Sequence, residues 1–276
     1  MSTYEPAPQL QPQVREFYST TITEADRLTT TADGRLELVR TQELLRRHLP
    51  PAPARVLDVG GGPGVHARWL SDDGYAVHLV DPIPRHVDQA AAQGLTAEVG
   101  DARALTSADT SADVVLVLGP LYHLTSRADR NRALAEAYRV LRPGGLLAAA
   151  AIGRYASLFE HTAFAHLHTG PFPESIATIL RTQIHDGRRG FTTAYFHGAD
   201  ELCAEVSEAG FIDARVYGVE GPAWSALAAV ERTSGQRVGP DSPLFQSALA
   251  AARMADAYPD LLAAASHLLA VGHRPL

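Results

Sequence analysis

Residues 55–81 read RVLDVGGGPGVHARWLSDDGYAVHLVD, placing two carboxylates, Asp58 and Asp81, around a loop that holds Gly60, Gly61, Gly62 and Gly64. Glycines without a Cβ can take positive φ and let a ligand approach the backbone. A helix that follows them turns its unpaired N–H groups and positive dipole end toward that ligand. A carboxylate at the tip of the next strand is placed to accept from two ribose hydroxyls. These residue types at this spacing predict a nucleoside-containing cofactor.

The elements that must position them follow from the same stretch. Residues 55–59 form an apolar run of the kind a strand buried on both faces shows, residues 65–71 read as a helix, and residues 76–80 form a second buried strand ending on an acid. This is a β-α-β unit. Two cofactor classes use it, and the glycine register separates them. A dinucleotide pattern G-x-G-x-x-G/A begun at Gly60 requires a small residue where Val65 stands; begun at Gly62 it puts Ala67 inside the helix and leaves Asp58, Gly60 and Gly61 unexplained.

The stretch instead resembles motif I of the class I S-adenosylmethionine-dependent methyltransferases, D-x-G-x-G-x-G, matched by Asp58, Gly60, Gly62 and Gly64. Later residues continue the resemblance in order. A third strand over 95–99 ends in Gly100-Asp101-Ala102, where the family holds an acid that accepts from the adenine amine. A fourth strand over 113–118 runs into Gly119-Pro120-Leu121-Tyr122-His123. A helix over 128–141, with a capping box expected from Ser126 and Asp129, then passes through Arg142-Pro143-Gly144-Gly145 into a strand over 146–152, as in ubiquinone/menaquinone-type and other small-molecule methyltransferases. The resemblance implies an α/β fold: a Rossmann-like, doubly wound sheet of seven strands in the order 3-2-1-4-5-7-6, with the last strand, over 267–271, antiparallel.

Around this scaffold we expect one domain over residues 1–276. A proline-rich leader over 1–13 precedes short helical pieces at 14–18 and 24–28, a turn at Asp33-Gly34, and a helix over 35–48 stopped by Pro50, Pro51 and Pro53. In the resembling family such helices, here 14–49, form a lid over the cofactor. Insertions over 153–198 and 221–262 interrupt the alternation, the first as a substrate cover. Between them a helix over 199–209 and a strand over 213–218 resume the scaffold.

Composition limits the function classes. Hydrophobic residues make up 46% of the chain, no run is apolar enough for a membrane span, and the N-terminus lacks the pattern of a secretory signal, so the expected location is cytoplasmic. The single cysteine, Cys203, rules out an internal disulfide or a multi-cysteine zinc site. A formal net charge of -7 argues against a surface that tracks nucleic-acid phosphates. The absence of an N-P-P-Y sequence after the fourth strand argues against methylation of nucleic-acid bases. A small-molecule partner is the expectation.

By the resemblance, Gly60, Gly62 and Gly64 admit the methionine portion of S-adenosylmethionine, Asp58 orients the loop or reaches the amino group, Asp81 takes the ribose, Asp101 and Ala102 the adenine, and Leu118 and Gly119 line the pocket under the sulfonium. Arg40 is a candidate partner for the methionine carboxylate. For transfer itself, His123 is the candidate base, because the C-terminal end of the fourth strand faces the ligand crevice, and Tyr18 is the lid aromatic expected over the methyl. Tyr122, Arg154, Tyr155, Phe159, Tyr195 and Trp224 are candidates for the substrate side. His161, His166 and His168 match no metal-ligand spacing, so no metal is expected. The expected activity is methyl transfer to a small, partly apolar acceptor in secondary metabolism. The alternatives are a protein that holds the cofactor without transferring methyl, as a regulator or cyclase, and an NAD-dependent dehydrogenase.

Overall fold

A computed structural model describes residues 10–21, 24–188 and 190–276; most of the expected leader lies outside them. Among the described residues the first α-helices are α1 (Pro12–Glu16), α2 (Arg27–Thr30) and α3 (Ala32–His48). The scaffold follows as β1 (Arg55–Val59), α4 (Val65–Asp72), β2 (Ala76–Asp81), α5 (Pro84–Ala92), β3 (Thr96–Val99), β4 (Ala112–Val117), α6 (Pro120–His123), α7 (Arg127–Val140) and β5 (Leu141–Gly153). The first insertion holds α8 (Ala156–Ala163), α9 (Phe172–Thr182) and the hairpin of β6 (Ile184–Asp186) with β7 (Thr193–His197). Then come α10 (Ala199–Glu208), β8 (Ile212–Gly218), α11 (Trp224–Ser234), α12 (Pro243–Ala255) and β9 (His267–His273).

The central sheet runs β3-β2-β1-β4-β5-β9-β8, parallel except for β9, which is antiparallel to both its neighbours. With the hairpin set aside this is the expected order of seven strands. The hairpin brings the described sheet to nine: β7 pairs with the last two residues of β5, which runs on past the scaffold. Alternating residues of the middle strands feed two cores. Leu57, Val59, Val115 and Val117 pack with Leu121, Leu134 and Leu202 on one face, while Val56, Val114 and Leu116 pack with Leu44, Leu70 and Trp69 on the other. A strand covered on both faces must be apolar throughout, which is why β1 and β4 read as continuous runs.

Two local expectations fail. Asp33-Gly34 is not a turn: it lies in the first turn of α3, where the Thr31 side chain accepts from the Gly34 N–H at 3.2 Å. Glycine is needed there for packing, since a Cβ would sit 2.7 Å from the Arg27 carbonyl oxygen. Ser126 precedes α7, but its side chain makes no cap bond, and Asp129 pairs with Arg103 at 3.3 Å instead. No helix among the described residues is long and apolar enough to cross a membrane.

Candidate active site

The register of the parallel strands aligns their C-terminal tips: Val59 lies beside both Val80 and Val117, so Gly60, Asp81 and Gly119 converge on one edge. There the loop after β1 is shaped by packing. Gly60 has φ 71°, and a Cβ on it would strike the Pro120 ring at 2.6 Å; a Cβ on Gly61 would lie 2.6 Å from Asp58 Oδ2. Gly61 is thus as constrained as the glycines of the motif. Gly64 does not line the crevice; in the left-handed conformation it caps the start of α4.

Asp58 is 1% exposed, and neither carboxylate oxygen meets a well-aligned donor, the Ala67 N–H being only a weak partner. Burial, with the charge of Asp81 added, pushes its carboxyl up to about 7. A poorly paired buried carboxylate beside a cavity is costly unless a cationic or donor group meets it. Asp81 is held by three donors: Gly62 N to Oδ2 at 2.9 Å, Ile83 N to Oδ1 at 2.9 Å, and His86 Nδ1 at 3.1 Å from Oδ1. Asp101 is gripped by the Arg103 fork at 2.9 and 2.8 Å. Gly60, Gly62, Asp58, Asp81, Asp101, Ala102, Leu118 and Gly119 all line one crevice of about 130 Å³. It is narrow because Leu10, Val14, Tyr18, Glu24 and Arg27 lie across it.

At its mouth Tyr18 Oη lies 2.8 Å from His123 Nε2, and His123 Nδ1 lies 3.4 Å from the Thr193 carbonyl of β7. A carbonyl only accepts, so Nδ1 carries the hydrogen and Nε2 accepts from the Tyr18 hydroxyl. Burial lowers the His123 imidazole to about 4 and raises the Tyr18 phenol well above its ordinary value, so both are neutral at pH 7. A second cavity, of about 940 Å³, lies under the two insertions, and Tyr18, Arg27, Glu37, Tyr122 and His267 line both.

Of those shared residues, Arg27, Glu37 and His267 belong to a buried charge cluster in which Glu24 and Arg27, polar residues among apolar neighbours in the lid sequence, are paired rather than solvated. Arg27 forks onto Glu37 at 2.8 and 3.0 Å and donates to Glu24 at 2.8 Å. The His267 N–H donates to Glu220 Oε2 at 2.9 Å, its Nδ1 bonds Glu220 Oε1, and the same nitrogen lies 3.6 Å from Glu37. Burial opposes the Glu37 charge, yet Arg27 and His267 outweigh it and hold the carboxyl below its usual range. Burial likewise opposes an imidazolium at His267, but Glu37 and Glu220 lift it to about 9. Glu220 follows β8 and His267 opens β9, so their proximity follows once those strands are paired; nothing local marks Glu37.

This architecture agrees with known proteins. A methyltransferase-domain family matches residues 57–149. An uncharacterized methyltransferase of Mycobacterium tuberculosis is 43% identical over 101 residues, which is 36% of this chain and 40% of that protein. A malonyl-[acyl-carrier protein] O-methyltransferase of Geobacter sulfurreducens is 34% identical over 174 residues, 60% of this chain and 58% of that one. These matches thus span about two-fifths to three-fifths of the curated relatives. Over residues 57–149 the chain resembles a methyltransferase domain.

Solved structures extend the likeness of fold. A SAM-dependent methyltransferase of Thermotoga maritima has a TM-score of 0.58 at 18% identity over 95% of this chain and 99% of that one. A phosphoethanolamine N-methyltransferase of Haemonchus contortus, solved with S-adenosyl-L-methionine, has a TM-score of 0.55 at 18% identity over 95% of this chain and 60% of that one.

Several residues expected at a methyltransferase site lie elsewhere. Arg40 is fully buried at the back of α3, bonded to the Val219 carbonyl at 3.2 Å and to Glu43 and Asp256 at 2.7 Å each, so it holds α3 to the second insertion and does not line the crevice. Arg154 donates to the Leu180 carbonyl at 2.8 Å, Tyr155 is exposed, Phe159 packs against the core of α3 and α11, and Tyr195 donates to Glu201 at 2.6 Å beneath Arg130. None of these four lines either cavity. Tyr122 lines both, and Trp224, bonded to the Ala264 carbonyl at 2.9 Å, lines the larger one. His161 and His166 face each other through their Nδ1 atoms at 3.0 Å. Among the described residues the group with metal-ligand spacing is a different one, Glu37, Glu220 and His267, within 4.8 Å of one another.

Proposed function

We propose that the protein transfers the methyl group of S-adenosylmethionine to a small acceptor held in the 940 Å³ cavity. The observation that carries this reading is the junction: two cavities share the wall formed by Tyr18, Arg27, Glu37, Tyr122 and His267, and one of them holds the poorly paired Asp58 carboxylate. That carboxylate fits the amino group of the cofactor. Asp81, pre-set by three donors, fits the ribose hydroxyls, and Asp101 with Ala102 fits the adenine edge. When bound, the cofactor supplies an electrophilic methyl on a sulfonium.

The chain's own contribution is mainly placement, since an in-line displacement depends on holding the nucleophile opposite the leaving sulfur. Ile152, Ile176, Ile179, Phe191 and Phe196 give the cavity an apolar wall that excludes water and suits a partly apolar acceptor. Tyr18, which faces both cavities, forms a relay with His123 on the crevice side. For an acceptor that enters protonated, Tyr18 Oη takes its proton and leaves it as the anion while the tyrosine's own proton passes to His123 Nε2, and the Thr193 carbonyl steadies the imidazolium that results. The N-terminal segment lies over the crevice, so it must swing aside for the cofactor and close again before transfer.

Calorimetric titration with S-adenosylmethionine, S-adenosylhomocysteine and NAD in parallel tests the reading. Micromolar binding of the first two without NAD is expected. Binding of NAD alone would sink the cofactor assignment. Tight cofactor binding with no S-adenosylhomocysteine formed across an acceptor screen would leave a protein that holds the cofactor without transferring methyl.

A further inference from the structure

His267 stands at the start of β9, opposite Ile152 in the ladder, where the cofactor crevice and the larger cavity meet. One carboxylate grips it twice: Glu220 accepts from its backbone N–H and also bonds Nδ1. A carboxylate that is ionised can only accept, so Nδ1 carries a hydrogen. Glu37 approaches the same nitrogen at 3.6 Å, and two carboxylates on one edge of the ring favour the charged imidazolium. Its other nitrogen, Nε2, bonds no group among the described residues, and 21% of the side chain stays open. Arg27, the other cation of the wall, is spent on Glu24 and Glu37. Every guanidinium nitrogen of Arg27 bonds a carboxylate, so among the nitrogens of these two cations Nε2 of His267 alone bonds no described group and turns its hydrogen to the cavities.

We propose that His267 is a specificity-determining residue whose Nε2–H holds an oxygen of the acceptor, so that the acceptor is an oxygen acid, a phenol, enol or carboxylic acid, bound as its oxyanion. The proposal rests on the methyl-transfer reading and narrows it. An ammonium would be repelled by the imidazolium. A neutral amine has a single lone pair, and a donor that engages it consumes the nucleophile. An oxyanion keeps lone pairs free after accepting from Nε2–H, so one can still face the incoming methyl carbon. The same residues also have metal-ligand spacing, but both oxygens of Glu37 are taken by the Arg27 fork, and His267 already supplies the positive charge a cation would bring.

The probe is p-nitrophenol, whose absorbance reports ionisation directly, compared with the isosteric p-nitrotoluene, each titrated into the full chain with and without saturating S-adenosylhomocysteine. In the wild type, p-nitrophenol binds ionised, at a pH below its free pKa. His267→Gln weakens that binding by about tenfold or more, as for loss of a charged hydrogen bond, and leaves p-nitrotoluene unaffected. An equal loss for both probes means that His267 only packs, and overturns the proposal. So does failure of the wild type to bind p-nitrophenol as its anion. Should His267→Gln not fold, the imidazole ¹⁵N spectrum of the wild type decides: p-nitrophenol must shift Nε2 of His267, and an unmoved resonance overturns the proposal. Stoichiometric Mn²⁺ binding seen by EPR and lost in Glu220→Gln would overturn it in favour of a metal site. Failure to bind S-adenosylhomocysteine is read separately, and it removes the methyl-transfer reading whatever p-nitrophenol does.

Discussion

Two buried charge networks use the same residue types in different ways. In one, Arg130 forks onto Glu205 at 2.6 and 2.9 Å, donates to the carbonyls of Leu124 and Thr125, and stacks over Tyr195, with His197 3.4 Å from the same carboxylate. Glu205 and His197 are fully buried, and none of the four lines either of the two cavities of the site. In the other, Arg27, Glu37, Glu220 and His267 are paired as tightly, yet Arg27, Glu37 and His267 face both cavities. Charge content does not separate the two. The first ties α7 to α10 with its side chains away from both cavities; the second keeps a polar edge toward open space. A buried ion pair is weak evidence of either stability or function until its remaining donors are located.

The comparison can be broken at the closed network first. Glu205→Leu leaves Arg130 buried and uncompensated, and urea unfolding should show a loss of about 3–5 kcal/mol with cofactor affinity unchanged. If affinity falls as well, the two networks are not independent.

The pH dependence should then separate them by sign. Hydrogen bonds from His197 and Arg130 overcome burial and hold Glu205 at about 2, below its ordinary 4.5, so its contribution is complete above pH 4.5 and is lost as pH falls toward 2. His267 is raised from 6.5 to about 9, so its contribution is complete below pH 6.5 and is lost as pH rises through 9. Each is worth up to about 3 kcal/mol at roughly 1.4 kcal/mol per unit. Unfolding free energies from pH 2 to 10, with Glu205→Leu flattening the acid limb alone and His267→Gln the alkaline limb alone, would sharpen the distinction; a single shared limb would erase it. The relay offers an intermediate effect. His123→Ala should slow transfer by about a hundredfold with little change in cofactor affinity, and full activity in that variant would leave placement as the whole mechanism. The smallest effect belongs to the crevice: Asp81→Ala should weaken cofactor binding by about 1–3 kcal/mol in calorimetry, and unchanged affinity would remove Asp81 from the site.

What could be read from the chain alone is what depends on near neighbours. The apolar runs of β1 and β4, the glycine register after Asp58, and the acid closing β2 are local signals, and the strands align them because parallel register leaves their tips on one edge. Local signals also misled. Asp33-Gly34 has turn chemistry, but the Thr31 cap and the contact of Gly34 with the Arg27 carbonyl draw both residues into α3. Only the tertiary structure decided the rest, because burial joins residues far apart in sequence. Arg40 bonds Asp256 and so cannot reach a methionine carboxylate, Tyr18 meets His123 across 105 positions, and Arg27, Glu37, Glu220 and His267 become one wall once β9 has inserted between β5 and β8. Charge in a sequence has no address until the chain folds, and Glu220 and His267 take theirs from strands that pair last in the order of the chain.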